Sequence, residues 1–277
     1  MSAKTVLSGV RIAVLGAGNM GQALVRGLVD KSVYPQYISV YDPDPKKIAL
    51  LKKDANIRAA KTSRQAVSLA DVVILAVKPQ TLPEVCAEVS SGLPAGALVV
   101  SIAAGVTISG IEKHFKKPLP VIRVMPNMPA QVGQGISAYS VGRHATAKHR
   151  KIAEAVLAAF GEVVPVPEKM LDLVTAISGS GPAYFFLLAE KLIESAYEMG
   201  MKADTAKKLA YHTALGSGRV MMQTWEDPED LIAKVASKGG TTEAALKTFK
   251  RLGFGKVVQE AVKAAHRRSR ELSEGRS

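Results

Sequence analysis

Arg11-Ile12-Ala13-Val14-Leu15-Gly16-Ala17-Gly18-Asn19-Met20-Gly21 is the stretch on which the fold turns. Arg11–Leu15 is a short, mostly β-branched and apolar run, which reads as a buried strand. A Gly-x-Gly-x-x-Gly motif follows at once, and an amphipathic pattern, Gly21–Val29, follows that. Alone the motif is weak; between a strand and a helix it marks a dinucleotide-binding turn. Gly16 permits the tight turn, Gly18 lets a pyrophosphate approach the backbone, and Gly21 lets the helix pack close to the strand. The helix start then offers N–H groups and a positive dipole end to the phosphates. The competing reading is a plain flexible strand–helix turn.

Outward from this turn, the first half alternates. Tyr37–Tyr41, Val72–Val77, Ala97–Ile102 and Pro120–Val124 are further apolar runs of strand length. Helical patterns lie between them at Lys46–Lys53, Ser63–Ala70, Leu82–Val89 and Ser109–Phe115. Strands this continuously apolar are buried on both faces, as in a parallel sheet. The alternation predicts right-handed βαβ units and an α/β, Rossmann-type doubly wound sheet. Ile136–Ser140 and Val163–Val166 read as strands flanking a helix, Thr146–Phe160. After Pro167 the pattern is wholly helical: Pro182–Met199, Ala203–Thr224, Pro228–Ser237, Thr242–Arg251 and Val257–Leu272. Two domains are expected, residues 1–167 binding a dinucleotide and residues 168–277 all-helical. Pro182–Met199 carries too much apolar surface for an edge helix, which predicts at least a dimer.

Composition sets bounds. A chain of 277 residues with 47% hydrophobic and 22% charged residues is neither disordered, collagen-like nor a disulfide scaffold. The single cysteine, Cys86, excludes an intrachain disulfide and fits the cytoplasm. The net charge is 37 − 24 = +13, but the cations are scattered and aromatic residues are only 5%, so no nucleic-acid surface is expected. No run approaches the roughly 20 apolar residues of a membrane helix, and Met1–Gly9 has no signal-peptide core, so no membrane partner is expected. The histidines, His114, His144, His149, His212 and His266, form no metal-ligand motif, so no metal is expected either.

Asp42 ends the second strand, 21 positions after Gly21. A carboxylate there usually binds the ribose hydroxyls of NAD and repels the extra phosphate of NADP. Asp42-Pro43-Asp44-Pro45 is equally a turn-forming sequence, and Lys46 and Lys47 lie nearby. Ala76-Val77-Lys78-Pro79 and Ser101-Ile102-Ala103-Ala104 end the next two strands, where ligands bind in such sheets. Met125-Pro126-Asn127 ends the fifth on the same side. Two hydroxyl-rich loops precede helices in the second half, Ser178–Pro182 and Ser237-Lys238-Gly239-Gly240-Thr241-Thr242. Both suit a carboxylate ligand, and both suit simple helix capping.

Gly16–Gly21, Ala76–Pro79, Val124–Asn127, Ser178–Pro182 and Val235–Leu246 (VASKGGTTEAAL) together resemble the Δ1-pyrroline-5-carboxylate reductase family over nearly the whole chain. The resemblance implies a Rossmann domain with a helical dimerisation domain, and a homodimer that assembles into a decamer of five dimers. It implies reduction of pyrroline-5-carboxylate to L-proline with NADPH or NADH. Gly240 and Thr241 would bind the substrate carboxylate, Thr242 would orient the ring nitrogen, Ser237 and Gly239 would shape the loop, and Glu168 would contact the product. Gly16, Ala17, Gly18, Asn19, Met20, Gly21, Ser63, Ala76, Val77, Lys78, Pro79, Ser101 and Ala103 would line the cofactor. Relatives commonly use NADPH, whereas Asp42 points to NADH. Lys238 stands where the family has proline. Two other readings stay open: a β-hydroxyacid dehydrogenase with Lys191 as its catalytic lysine, and a non-enzymatic dinucleotide-binding regulator.

Overall fold

The structure is a computed structural model that describes residues 3–31 and 33–274. Eight strands form one sheet: β1 (Ile12–Leu15), β2 (Ile38–Tyr41), β3 (Arg58–Ala59), β4 (Val72–Leu75), β5 (Leu98–Ser101), β6 (Val121–Met125), β7 (Gly135–Val141) and β8 (Gly161–Pro165). Their spatial order is β3-β2-β1-β4-β5-β6-β7-β8. Strands β1 to β6 pair in parallel, and every residue of β1, β4 and β5 is buried, as their unbroken apolar sequences require. The direction of winding reverses between β1 and β4, the place where such sheets bind ligands.

β7 runs antiparallel to β6. Between them lies only a 3-10 turn, Met128–Val132, ended by Gly133 at φ +69°. A parallel return needs a crossover of a dozen or more residues, so this short link forces reversal. β8 returns parallel to β7 after a helix. The two-residue edge strand β3 is exposed, and so polar and short that it carries no periodicity.

The helices of this part are α1 (Ala3–Val6), α2 (Asn19–Asp30), α3 (Pro45–Ala55), α4 (Ser63–Val67), α5 (Leu82–Val89), α6 (Ile108–Glu112), α7 (Ala147–Leu157) and α8 (Leu171–Val174). They cover the sheet on both faces. Leu24 and Leu28 of α2 and Val156 and Leu157 of α7 join one apolar cluster; Leu82 and Cys86 of α5 and Ile111 of α6 join the other. Burial pushes the Cys86 thiol up to about 12, which leaves it inert.

The described residues up to Gly179, together with those from Ala265 onward, pack as one unit; Ser180–Ala264 pack as another. The sequence divides in character near residue 167, but packing divides later. Leu171 and Ala176 are completely buried, and a π-helical turn, Thr175–Gly179, still rests on β6: a side chain at Gly179 would meet the Met125 methyl at 2.5 Å.

The second unit holds α9 (Gly181–Glu198), α10 (Ala203–Thr224), α11 (Pro228–Val235), α12 (Thr241–Arg251) and the first part of α13 (Phe254–Ser273). Only Gly181, Ala206 and Ala210 of α9 and α10 are buried. Phe185, Phe186, Leu187, Tyr197 and Trp225 are exposed. One expectation fails here. Glu168–Glu198 forms a 31-residue helical stretch that is long and apolar enough to cross a membrane. Reading the helix only from Pro182 hid the turns that run into it.

Candidate active site

Each glycine of the Gly16–Gly21 turn has its own steric reason. Gly16 sits at φ +102°, donates its N–H to Tyr41 O at 2.8 Å, and a side chain on it would lie 2.6 Å from Ala76 O. A side chain at Gly21 would lie 2.1 Å from Gly16 O. Gly18 has nothing within 4 Å of the equivalent point, so its surface is open to a ligand. It is also the N-cap of α2 and supplies no side-chain cap, which leaves the helix start for an anion. This arrangement fits a dinucleotide pyrophosphate.

Asp42 faces into this turn. Its Oδ2 accepts from Ala17 N–H at 2.7 Å and its Oδ1 from Asp44 N–H at 2.9 Å, with Lys47 Nζ 3.5 Å away. Its side chain is only 7% exposed. The carboxylate therefore ties the end of β2 to the glycine turn. Its charge is met by two backbone donors and a lysine, which weakens the argument that it repels a 2′-phosphate.

A cavity of about 250 Å³ opens at the carboxyl ends of β1, β4, β5 and β6. Met20, Ala76, Val77, Lys78, Pro79 and Ala103 meet there, together with Ile102, Ala104, Met125 and Pro126. Gly16, Ala17, Gly18, Asn19 and Gly21 form the adjoining turn. Ser63 and Ser101 do not reach this surface. Both are 0% exposed; the Ser63 hydroxyl is buried with no partner, and Ser101 Oγ accepts from Ala103 N–H at 3.4 Å. A larger cleft of about 660 Å³ lies around Gly27, Ala130 and Gly161, at the opposite end of α2. It holds none of the expected site residues and is away from the strand ends where such folds bind ligands.

The Ser237–Thr242 loop lies in the helical unit. Gly239 takes φ +74°, and Gly240 N–H donates to Ser237 O at 3.0 Å. A side chain at Gly240 would clash with Ser237 Oγ at 2.5 Å. Gly240 is the N-cap of α12 and has no side chain to cap with, so neither Thr241 nor Thr242 caps this helix. The helix start is left open for an anion. Glu243, which sequence reading passed over, accepts from Gly239 N–H at 2.7 Å and pairs with Lys247 at 3.0 Å. The Gly239 bond and then Lys247 hold its carboxyl below the usual range. Its signal was present in the sequence: a glutamate three residues after a small N-cap reaches back to the turn before the helix.

Other candidates divide. Glu168 belongs to the sheet unit; its Oε1 accepts from Ile108 N–H at 2.6 Å and lies 3.4 Å from Arg123. Ser178 donates back to Val174 O at 3.1 Å within the π-helical turn. Lys191 pairs with Glu194 and Glu190 of its own helix at 2.8 and 3.7 Å and is 58% exposed, unlike a desolvated catalytic lysine. Among the described residues, no group of three or more His, Cys, Asp or Glu is placed to hold a metal.

Residues 168–272 match a family model described as pyrroline-5-carboxylate reductase dimerisation, and residues 11–105 match one described as NADP oxidoreductase, coenzyme F420-dependent. A pyrroline-5-carboxylate reductase of Pseudomonas aeruginosa is 39% identical over 269 residues, covering 97% of this chain and 98% of the relative. The chain belongs to the pyrroline-5-carboxylate reductase family. The Escherichia coli relative is 35% identical over 264 residues, covering 95% of this chain and 98% of the relative. A reductase structure from Coxiella burnetii aligns with TM-score 0.90 at 35% identity, covering 95% and 98% of the two chains. The NADP-bound pyrroline carboxylate reductase of Plasmodium falciparum aligns at 0.86 and 26%, with the same coverage. As a member of this reductase family the chain is an oxidoreductase with a nicotinamide cofactor, a Rossmann-type unit and a helical dimerisation domain.

The geometry of Asp42 gives a prediction. Asp42→Ser removes a charge-assisted tie to the glycine turn, worth about 1.5–3 kcal/mol. Affinities for NADH and NADPH, measured by fluorescence titration, should fall together by roughly tenfold. A gain confined to NADPH would show instead that Asp42 acts on the ribose.

Proposed function

We propose that this chain reduces Δ1-pyrroline-5-carboxylate to L-proline, with the cofactor at the Gly16–Gly21 turn and its adjoining cavity and the substrate at the Ser237–Thr242 loop. The observation that carries the substrate half of the reading is the uncapped start of α12, which presents N–H groups and two threonine hydroxyls at a turn held by Glu243. Gly240 and Thr241 hold the substrate carboxylate. Thr242, inside the first turn, directs its hydroxyl at the ring nitrogen. Lys238 adds a cation beside the loop, which suits an anionic substrate. Gly18 admits the pyrophosphate, and Ala103, Ala104 and Met125 form the wall of the adjoining cavity. Glu168, anchored to α6 and Arg123, contacts the product in this reading.

When bound, the reduced nicotinamide supplies the hydride that adds to the imine carbon. The imine's electron pair moves to nitrogen, and a protonated imine already carries the proton that proline retains. The chain therefore needs to position and complement charge rather than to supply a strong acid. A threonine hydroxyl suits that task, since it orients nitrogen without titrating near neutrality. NADPH is the preferred cofactor in this reading, because the Asp42 carboxylate is engaged by the Ala17 and Asp44 N–H groups and Lys47 lies 3.5 Å away.

The exposed apolar faces of α9 and α10 form the dimer interface, and the dimers assemble by fives into a decamer. The match of residues 168–272 to a dimerisation domain favours this over a membrane span for Glu168–Glu198. The enzyme works in the cytoplasm on this reading. Sedimentation at micromolar concentration should give a dimer or larger. Phe185→Glu, which buries a charge in that interface, should shift it toward monomer.

The direct test of the reaction is loss of nicotinamide absorbance when protein, reduced cofactor and pyrroline-5-carboxylate are mixed. Thr242→Ala should lower kcat/KM by roughly 10- to 150-fold, the equivalent of about 1.5–3 kcal/mol for a bond to a charged group. Cofactor affinity and melting temperature should hold, since Thr242 is not the helix cap. A normal kcat/KM would remove Thr242 from the site. Glu243 has a pH signature. Its folded pKa is depressed, so its tie to Gly239 is complete above the ordinary glutamate value of 4.5 and is lost as pH falls through the lowered value. Wild-type KM for the substrate should therefore not change with pH on account of this tie between pH 6 and 8. Glu243→Ala should raise KM across that range while cofactor affinity stays fixed.

A further inference from the structure

The family model counts residues 168–272 as dimerisation, yet the last turns of α13 pack within the dinucleotide-binding unit. Ser269 and Ser273 lie one helical turn apart and both donate their hydroxyls to Asp172 Oδ1, each at 2.8 Å. Ser269 is buried. The same Asp172 oxygen lies 3.6 Å from the Arg123 guanidinium, which also meets Glu168 at 3.4 Å. Arg123 is 4% exposed, on β6, two positions before Met125. On a second side, Leu272 covers Gly105. A side chain at Gly105 would lie 3.1 Å from Leu272 Cβ and 3.5 Å from Ser273 N. Gly105 directly follows Ile102–Ala104.

Two walls of the strand-end cavity thus end on one helical segment. The Ile102–Ala104 wall runs into Gly105 and so onto Leu272. The Met125–Pro126 wall runs through Arg123 and Asp172 onto Ser269 and Ser273. A buried arginine with two carboxylates is costly to desolvate, and loss of a partner leaves an uncompensated buried charge. The two serine hydroxyls hold Asp172, one of those partners.

We propose that Ala265–Ser273 is a positioning segment for the nicotinamide cofactor, bracing both walls of the cavity that receives it. This rests on the reading of that cavity as part of the cofactor site. The segment reaches the cavity walls through Gly105 and, by way of Asp172, through Arg123, so it acts by pre-forming the walls. Pre-organisation of this kind appears in affinity without a new contact.

The test uses the full-length protein, with NADPH as the probe. Ser269→Ala/Ser273→Ala removes both hydroxyl donors, and Leu272→Ala removes the cover on Gly105. The dissociation constant for NADPH should rise about tenfold in the double variant and about threefold in Leu272→Ala. KM for pyrroline-5-carboxylate at saturating NADPH should stay within about twofold, and sedimentation should be unchanged. Asp172→Asn keeps the Oδ1 acceptor and loses the charge facing Arg123; it should fall between wild type and the double variant. If the double variant does not fold, Leu272→Ala carries the test, because Leu272 is 43% exposed. Unchanged NADPH affinity in correctly assembled variants overturns the proposal. So does a parallel change in affinity, KM and melting temperature, which marks a purely structural role. A wild-type protein that binds neither NADPH nor NADH defeats the cofactor-site reading instead.

Discussion

Helix α2 starts where it does because residue 21 has no side chain. A Cβ there would sit 2.1 Å from Gly16 O, inside any allowed contact. With glycine in place, α2 lies against β1, and Leu24 and Leu28 reach the core. The open end of its dipole then sits beside the point where the sheet's winding reverses. Asp42 fixes the other side of the turn through Ala17 N–H. One steric allowance thus sets the position of the helix and the direction of its dipole.

The same economy explains where the chain divides. Composition changes at residue 167, since strand-forming sequence stops there. The sheet unit nevertheless keeps the chain to Gly179 and takes it back at Ala265. Apolar burial of Leu171 and Ala176 holds part of this chain, and an ionic cluster holds the rest. Arg123 is buried in β6 and needs anionic partners, which Glu168 and Asp172 supply. Asp172 in turn holds Ser269 and Ser273. A buried charge recruits the segments that satisfy it, whatever their secondary structure.

This is also why some features were legible in the sequence and others were not. The glycine turn, the short, continuously buried strands and the helices after residue 180 follow from local periodicity and sterics, and they stand where the sequence places them. β3 has two exposed residues and no period to read. The reversal of β7 is legible only from the shortness of its link to β6. Ser63 looks like a ligand contact by position, but its hydroxyl is fully buried and has no partner. Asp42 satisfied two readings equally in sequence, because the direction of a carboxylate depends on the N–H groups that fold up against it. Glu243 carried a recognisable spacing, which gained meaning once Gly240 proved to be a cap without a side chain.

The reaction class explains why so little of the site consists of titratable residues. A hydroxyl or thiol nucleophile would need a nearby base, and a hydrolytic metal would need a cluster of ligands. Hydride addition to a protonated imine needs neither. It needs an anion-binding helix start for the pyrophosphate, another for the substrate carboxylate, and a donor or acceptor to align the nitrogen. In the proposed reading, backbone N–H groups at α2 and α12 would provide the first two without adding a charge that would titrate near neutrality. The buried ionic pair of Arg123 with Asp172, and the tie of Glu243 to Gly239 N–H, support the wall and the loop. A site of this design tolerates changes in backbone position poorly. Its sensitive positions are therefore the glycines and the groups that hold the turns.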